Sequence, residues 1–387
     1  MRKKIAILGS TGSIGRNLLE IVNKDKNKFE VTLLTANKNH TDLLKQAKRF
    51  KVKNIIVTNN ESFDFLKKKQ NKKLNIYNSY SCFNKIFKKK IDYVMSSISG
   101  IDGLYPTIKI IKHTNKIAIA NKESIICAWN LIQNELKKYK TKFVPVDSEH
   151  FSLWYALKNS SISDIEKIYL TASGGPLLKF PKSNSNNISL ARALKHPTWS
   201  MGKKISIDSC TMMNKVFEVI EAKHLFNLPY DRISILTHPN SYIHAIIKFK
   251  NGLVKIIAHD TTMKIPIFNT INSDNNSIFK SDNLNLKKLN NLDLKLVNYN
   301  LFPLVNILKY LPKKISLFET VIITINDYLV DLFLNKKINY NQLQNLLRKL
   351  IKNRIFTKYK KSKPKKIQDI FLVKNNVSSK IIKIIKK

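Results

Sequence analysis

Glu218 stands four residues after Asn214 and three after Lys215, so a helix through them puts an amide, an ammonium and a carboxylate on one face. Glu221 follows on the same face. Ser209 lies just upstream, near the start of a helix expected over Met212–Leu225, where free N–H groups favour anions. A core helix needs none of these groups, whereas a site for a phosphorylated, metal-bound ligand uses all of them. A surface salt-bridge helix would share the Lys215–Glu218 spacing alone. Before this helix, His196, Trp199, Met201 and Gly202 outline a candidate mobile loop. Trp199 and Met201 are ordinary core types, but among Gly, Lys and Ser neighbours they suit a lid over a ligand.

Two shorter motifs offer matching chemistry. Asp147-Ser148-Glu149-His150 follows an expected strand, and in extended backbone Asp147 and Glu149 would point to one side. Carboxylates without clustered His or Cys favour Mg²⁺ or Mn²⁺. A solvated turn or helix cap fits the same tetrapeptide. Ser173-Gly174-Gly175-Pro176 follows another expected strand; Ser173 can donate to a phosphate, and a purely structural turn is the alternative. Asp208 and Glu221 could support such a site or make local contacts only. His238 precedes a proline and reads as structural.

At the N-terminal end, Gly9-Ser10-Thr11-Gly12-Ser13-Ile14-Gly15 follows an apolar strand and opens a helix, a context that suits a dinucleotide pyrophosphate. The spacing is GxxGxxG rather than GxGxxG. An acid usually ends the second strand when the ribose 2′-hydroxyl is bound. Here the chain reads Thr35-Ala36-Asn37-Lys38-Asn39. Lys38 and Asn39 suit a 2′-phosphate and hence NADP, although a solvated lysine reads the same way.

These groups need elements to hold them. Apolar segments 4–8, 31–35, 54–57, 91–95, 117–120 and 143–146 alternate with helical ones, which indicates a parallel α/β sheet. Strands are then expected at 168–171, 233–237 and 245–249, with a hairpin at Asn251-Gly252. Helical spacing returns late in the chain, as in Tyr340, Leu343, Leu346, Leu347 and Leu350. The expected fold is an N-terminal Rossmann-type parallel sheet (1–146), an α+β domain (147–270), a polar linker (271–300) and a C-terminal helical domain (301–387).

Composition narrows the function classes. With 387 residues, 43% hydrophobic and 25% charged, the chain suits a soluble globular protein of two or three domains. No apolar run is long enough to span a membrane; Val321–Leu334 is interrupted by Asn326, Asp327 and Asp331. Cys82, Cys127 and Cys210 lack metal-ligand spacing and fit a reducing, cytoplasmic compartment. The net charge of +43 would suit nucleic acid, and the last 37 residues hold 13 Lys/Arg against Asp369 alone. Basic residues are nevertheless spread throughout, and no nucleic-acid-reading motif accompanies them. Compositional bias explains the charge, and no nucleic-acid partner is expected.

GSTGSIG (9–15), ANKES (120–124), DSEH (147–150), SGGP (173–176), HPTWSMGKKISIDSCTMMNK (196–215) and HPNSYIHA (238–245) together resemble the 1-deoxy-D-xylulose-5-phosphate reductoisomerase family, in order and over about two thirds of the chain. The resemblance implies an NADPH-binding domain, a catalytic and dimerisation domain, and a helical C-terminal domain in a homodimer. It implies isomerisation and NADPH-dependent reduction of 1-deoxy-D-xylulose 5-phosphate to 2-C-methyl-D-erythritol 4-phosphate, with Mg²⁺ or Mn²⁺. By motif, Asp147, Glu149 and Glu218 are implied as metal ligands. Ser173, Ser209, Asn214 and Lys215 are implied to bind phosphate. Lys122, Ser148 and His196 are implied as further substrate contacts, and Trp199 and Met201 as the closing flap. Lys122, Glu149 and His196 are the catalytic candidates; the proton routes stay open between Lys122, Glu149 and bound water. Thr11, Gly12, Ser13, Ile14, Lys38, Asn39, Asn121, Glu123 and Gly202 are implied to contact NADPH. The chain departs from the family pattern at Asn37, where glycine is usual, around His259 to Met263, and at Thr324-Ile325-Asn326-Asp327. A plain dehydrogenase would explain the glycine loop but not the carboxylates; a nucleic-acid binder would explain only the charge.

Overall fold

The computed structural model describes residues 1–68, 74–178, 188–199, 201–273 and 277–385. It contains two compact units. The first comprises residues 1–124, 131–147 and 263–280. Its seven strands are β1 (Lys3–Leu8), β2 (Phe29–Ala36), β3 (Asn54–Val57), β4 (Asn75–Tyr77), β5 (Ile91–Ser96), β6 (Thr114–Ile119) and β7 (Lys142–Pro145). They pair in the order β4-β3-β2-β1-β5-β6-β7, all in parallel. The order reverses between β1 and β5, where open α/β sheets bind ligands beyond the strand ends. Ile5, Ala6, Ile7 and Leu8 are all fully buried. A parallel strand covered on both faces has no polar side to alternate with, so it reads as a continuous apolar run.

Residues 263–280 belong to this unit. Helix Lys264–Ile271 packs on helix Ser13–Lys24, with Ile267 and Ile271 fully buried in the sheet core. The Thr270 hydroxyl bonds the buried Tyr93 hydroxyl at 2.8 Å.

The second unit comprises residues 125–130, 148–262 and 281–387. Its sheet runs β11 (Val254–Ala258), β10 (Ile243–Phe249), β8 (Ile165–Ala172), β9 (Ile233–Thr237) and β12 (Lys295–Leu296). Only β8 and β9 run in parallel; the other neighbours are antiparallel. The expected hairpin joins β10 to β11, with Gly252 at φ +88° in its turn. The stretch read as a linker holds helix Leu286–Asn290 and β12. Its order rests on backbone pairing and an Asn285 cap, which a polar sequence does not advertise.

Helices Phe318–Leu334, Tyr340–Lys352 and Ile367–Ile385 pack together near the end of the chain. Asn339 and Gln342 form a capping box, and Tyr340, Leu343, Leu347 and Leu350 are the buried face. Among the described residues no helix is long and apolar enough to cross a membrane.

Candidate functional site

In the first unit, the glycine loop leaves β1 and enters helix Ser13–Lys24. Gly9 sits at φ +83°, and a Cβ there would meet the Ser97 carbonyl oxygen at 2.9 Å. A Cβ on Gly15 would meet the Ser10 Cα at 2.5 Å, so helix and turn can approach only with glycine. Thr11 and Ile14 are half-buried, and Gly12 and Ser13 are exposed. Gly12 caps the helix without a side chain, so the first-turn N–H groups stay available to an anion.

At the end of β2, Lys38 is exposed. Asn39 is committed to local work: its Oδ1 accepts from the Asp42 N–H, and its Nδ2 donates to Asp42 Oδ2 at 2.9 Å. Asn37 donates to the Thr58 hydroxyl at 2.8 Å and does not adopt positive φ. Asn121 caps helix Lys122–Lys138 by accepting from Ser124 N, and its amide donates to the carbonyls of Ile98 and Gly100. Glu123 is buried. Lys122 Nζ lies 2.6 Å from Asp147 Oδ2.

In the second unit, Ser148 opens helix Ser148–Ala156, and Glu149 lies in its first turn. The extended geometry expected for this motif is therefore replaced by helix, and alternation along a strand is not what aims Glu149. Ser148 Oγ donates to Glu149 Oε2. Lys215 Nζ uses its three protons on Glu149 Oε1 at 2.6 Å, the Thr171 carbonyl at 2.6 Å, and Glu218 Oε2. Asn214 donates to the other Glu218 oxygen. Lys215 and Glu218 are buried. Burial alone would push the Lys215 ammonium down, but Glu149 and Glu218 outweigh it and the pKa is raised.

Ser209 departs from expectation. It lies in the last turn of helix Lys203–Cys210, not at the start of the next helix. Met212, in the left-handed region at φ 63°, breaks the chain between that helix and Met213–Phe226. An anion at Ser209 therefore gains nothing from a helix N-terminus. The SGGP turn does approach it: a Cβ on Gly175 would lie 3.1 Å from the Ser209 carbonyl oxygen.

Ser173 and His196 form a second constellation. His196 Nδ1 accepts from the backbone N–H of Trp199 at 2.9 Å and of Thr198 at 3.2 Å. The ring proton is thereby placed on Nε2, which donates to Ser173 Oγ at 2.9 Å. Burial lowers the His196 pKa to about 4, consistent with this neutral tautomer. Ser173 Oγ also accepts from Gly175 N at 3.1 Å. Its lone pairs are then used, and its O–H is left to donate to a ligand. Trp199 and Met201 are half-buried, and Gly202 is exposed at the start of helix Lys203–Cys210.

Around these groups sit residues whose roles were less legible. His150 Nε2 donates to the Glu218 carbonyl at 2.9 Å, and its Nδ1 faces Glu221 Oε2 at 3.5 Å. His150 thus lies between Glu221 and the backbone of Glu218. Asp208 accepts from Asn326 at 2.7 Å and pairs with Lys204 at 3.3 Å. His238 accepts from Tyr242 N at 3.0 Å, a structural role. The stacked rings of His244 and His259 had no signal in the sequence, because fourteen residues and a hairpin separate them.

Comparison with known proteins fits this geometry. Residues 5–129 match the 1-deoxy-D-xylulose 5-phosphate reductoisomerase family, and residues 143–226 and 260–379 match its two C-terminal domain families. A reductoisomerase of Pelagibacter ubique is 55% identical over 382 residues, 98% of each chain. One from Persephonella marina is 36% identical over 96% of this chain and 95% of its own. Among solved structures, the Zymomonas mobilis reductoisomerase in complex with NADPH gives a TM-score of 0.87 at 28% identity, covering 99% of each chain. Another, in complex with NADPH, fosmidomycin and magnesium, gives 0.90 at 28% identity, covering 100% of this chain and 99% of its own. The chain belongs to the 1-deoxy-D-xylulose 5-phosphate reductoisomerase family.

Proposed function

We propose that the protein converts 1-deoxy-D-xylulose 5-phosphate to 2-C-methyl-D-erythritol 4-phosphate, using NADPH and Mg²⁺ or Mn²⁺. The observation that carries this reading is the cluster of buried Lys215 and Glu218 with half-buried Glu149 within a chain of this family. Two carboxylates already converge on one ammonium, which marks a place where a cation fits. The family motif adds Asp147 to these two carboxylates, and all three side chains are oxygen donors, the type preferred by hard divalent ions. When bound, such an ion polarises the substrate carbonyl and stabilises enediolate charge, and NADPH supplies the hydride.

The chain's own residues do the rest. Ser173 offers a hydroxyl proton, Asn214 an amide and Lys215 an ammonium to the phosphate; Ser209 completes that pocket. Anchoring the phosphate supplies remote binding energy for the reacting end. Neutral His196 holds Ser173 and fixes the backbone of Trp199, whose loop with Met201 shields the reacting carbons from water. Ser148 orients Glu149, and Lys122, paired with Asp147, and Glu149 are the candidate proton donors or acceptors. Thr11, Gly12, Ser13 and Ile14 receive the pyrophosphate. Lys38 and the Asn39 segment meet the 2′-phosphate, and Asn121, Glu123 and Gly202 line the remaining cofactor.

A homodimer agrees with the open edge of the second sheet, where β11 and its turn expose Leu253, Val254 and Ile256. The three cysteines are buried free thiols, which suits the cytoplasm. Purified protein should oxidise NADPH on addition of the substrate and Mg²⁺, and a chelator should stop it. No turnover, or turnover indifferent to chelator, rejects the reading. Light scattering should give the mass of two chains; a single-chain mass rejects the dimer.

A further inference from the structure

We propose that His259 is a positioning residue for the loop that carries His196 and Trp199: it backs His244 and makes it the platform on which Trp199 seats. The inference rests on reading that loop as one that closes over the ligand. His259 falls in the segment where the chain departs from the family pattern.

The rings of His244 and His259 are stacked, with centroids 3.7 Å apart and planes within 12°. Trp199 meets His244 edge to face, with a centroid separation of 6.2 Å and an angle of 73°. The hydrogen bonds fix both tautomers, because a carbonyl only accepts. His244 Nε2 donates to the His259 carbonyl at 3.1 Å, and His259 Nδ1 donates to the Asp260 carbonyl at 2.9 Å. Burial lowers both pKa values; beside His244, His259, Lys215 and His238 lower it further. Asp260 and Glu149 act on His259 in the opposite sense without reversing its shift. Two neutral rings stack without charge repulsion.

The backbone ties the same residues in the same order. His259 N donates to the Tyr242 carbonyl at 3.0 Å. The Thr261 hydroxyl donates to the Ser241 carbonyl at 3.2 Å, and the Ser241 hydroxyl meets that of Thr198 at 3.3 Å. Residues 259–261 thus buttress residues 241–244, which in turn receive Thr198 and Trp199. Removing the His259 ring leaves His244 held by its one hydrogen bond to the residue 259 carbonyl and takes away the stacked ring behind the surface that Trp199 meets. A loop that closes less well weakens substrate capture while leaving the reacting groups in place.

The test is a double-mutant cycle on the full-length enzyme, with steady-state kinetics in 1-deoxy-D-xylulose 5-phosphate. His259→Ala should raise KM about tenfold and leave kcat within about twofold. His259→Phe keeps a ring and should restore KM to within about twofold of wild type. Trp199→Ala should raise KM, and His259→Ala added to it should change little further, since the two residues act as one unit. Wild-type KM in His259→Ala, no rescue by phenylalanine, or multiplying effects in the double variant would each overturn the proposal. If the alanine variant does not fold, His259→Gln, which removes the ring and keeps volume, takes its place in the cycle. A Trp199→Ala variant with normal KM would instead overturn the reading of the loop as a lid, and this proposal with it.

Discussion

Lys215 Nζ lies 2.6 Å from Glu149 Oε1, and the same ammonium also holds Glu218. One buried lysine is therefore shared between the carboxylates read as metal ligands and the phosphate read as its own partner. Lys215→Met would leave both carboxylates without this cation. Breaking a buried pair from one side costs roughly 3–5 kcal/mol. A divalent ion should offset part of that cost, because it can occupy the place of the ammonium. In thermal melts, Mg²⁺ should therefore raise the Tm of Lys215→Met more than that of wild type. Equal shifts would show that Lys215 and the ion do not share a seat.

The same sharing couples the two ligands. A phosphate that draws Lys215 away releases Glu149 and Glu218 to the ion, and an ion on those carboxylates releases Lys215 to the phosphate. Each ligand should tighten the other, by a factor in the ordinary range of about 5 to 150. Calorimetric titration of Mg²⁺ with and without substrate, in the absence of NADPH, measures this. An unchanged affinity would mean that Lys215 serves both at once.

We propose that cofactor choice rests on one exposed charge. Asn39 is occupied as a helix cap, so Lys38 is the side chain left at the end of β2 to meet a 2′-phosphate. Lys38→Ala should raise KM for NADPH about tenfold, while KM for NADH moves little, as expected for loss of a charge-assisted phosphate contact. A parallel rise for both cofactors would place Lys38 outside the recognition of the 2′-phosphate.

The parallel sheet was readable because Ile5 to Leu8 and Ile117 to Ile119 are buried on every side, and full burial writes itself as unbroken apolar sequence. Asn75–Tyr77, three residues at the sheet edge, was too short for any pattern. The Asn214–Lys215–Glu218 face was legible because helical spacing alone brings those groups together. Ser148-Glu149 was not, because so few residues carry no period that separates strand from helix start. Ser209 was misplaced for a related reason: the break after it is made by Met212 at φ 63°, and methionine carries no turn signal where glycine or asparagine would have. Contacts made across a hairpin, such as His244 on His259, depend on register and leave no local trace.

Glu319 lies in the first turn of helix Phe318–Leu334. It is fully buried, accepts from Ser316 N at 3.1 Å and Ser316 Oγ at 2.6 Å, and burial pushes its pKa up to about 7. A carboxyl whose folded pKa exceeds its unfolded one stabilises fully below the unfolded value, and that contribution is lost as pH rises through the folded one. Glu319→Gln carries no ionisation cost. It should therefore be more stable than wild type at pH 9, with the difference shrinking towards pH 5. Urea midpoints at the two pH values decide; a constant difference would mean that Glu319 does not ionise on that range.

Acid should act in the opposite sense through the histidines. Burial lowers His224 to about 3, and His196 and His113 to about 4. A histidine depressed in the folded state binds fewer protons there than in the unfolded chain between its two pKa values. Stability is then full above the unfolded value, near 6.5, and falls with pH below it. His224 is almost wholly buried, and its Nδ1 donates to the Ile125 carbonyl at 3.3 Å. At pH 5 it lies about 1.5 pH units below the unfolded pKa, which amounts to roughly 2 kcal/mol at 1.36 kcal/mol per unit. His224→Phe removes the titration and loses one hydrogen bond at every pH. Between pH 7 and pH 5 wild type should therefore lose about 2 kcal/mol more unfolding free energy than His224→Phe. Equal losses would assign acid sensitivity to the other histidines.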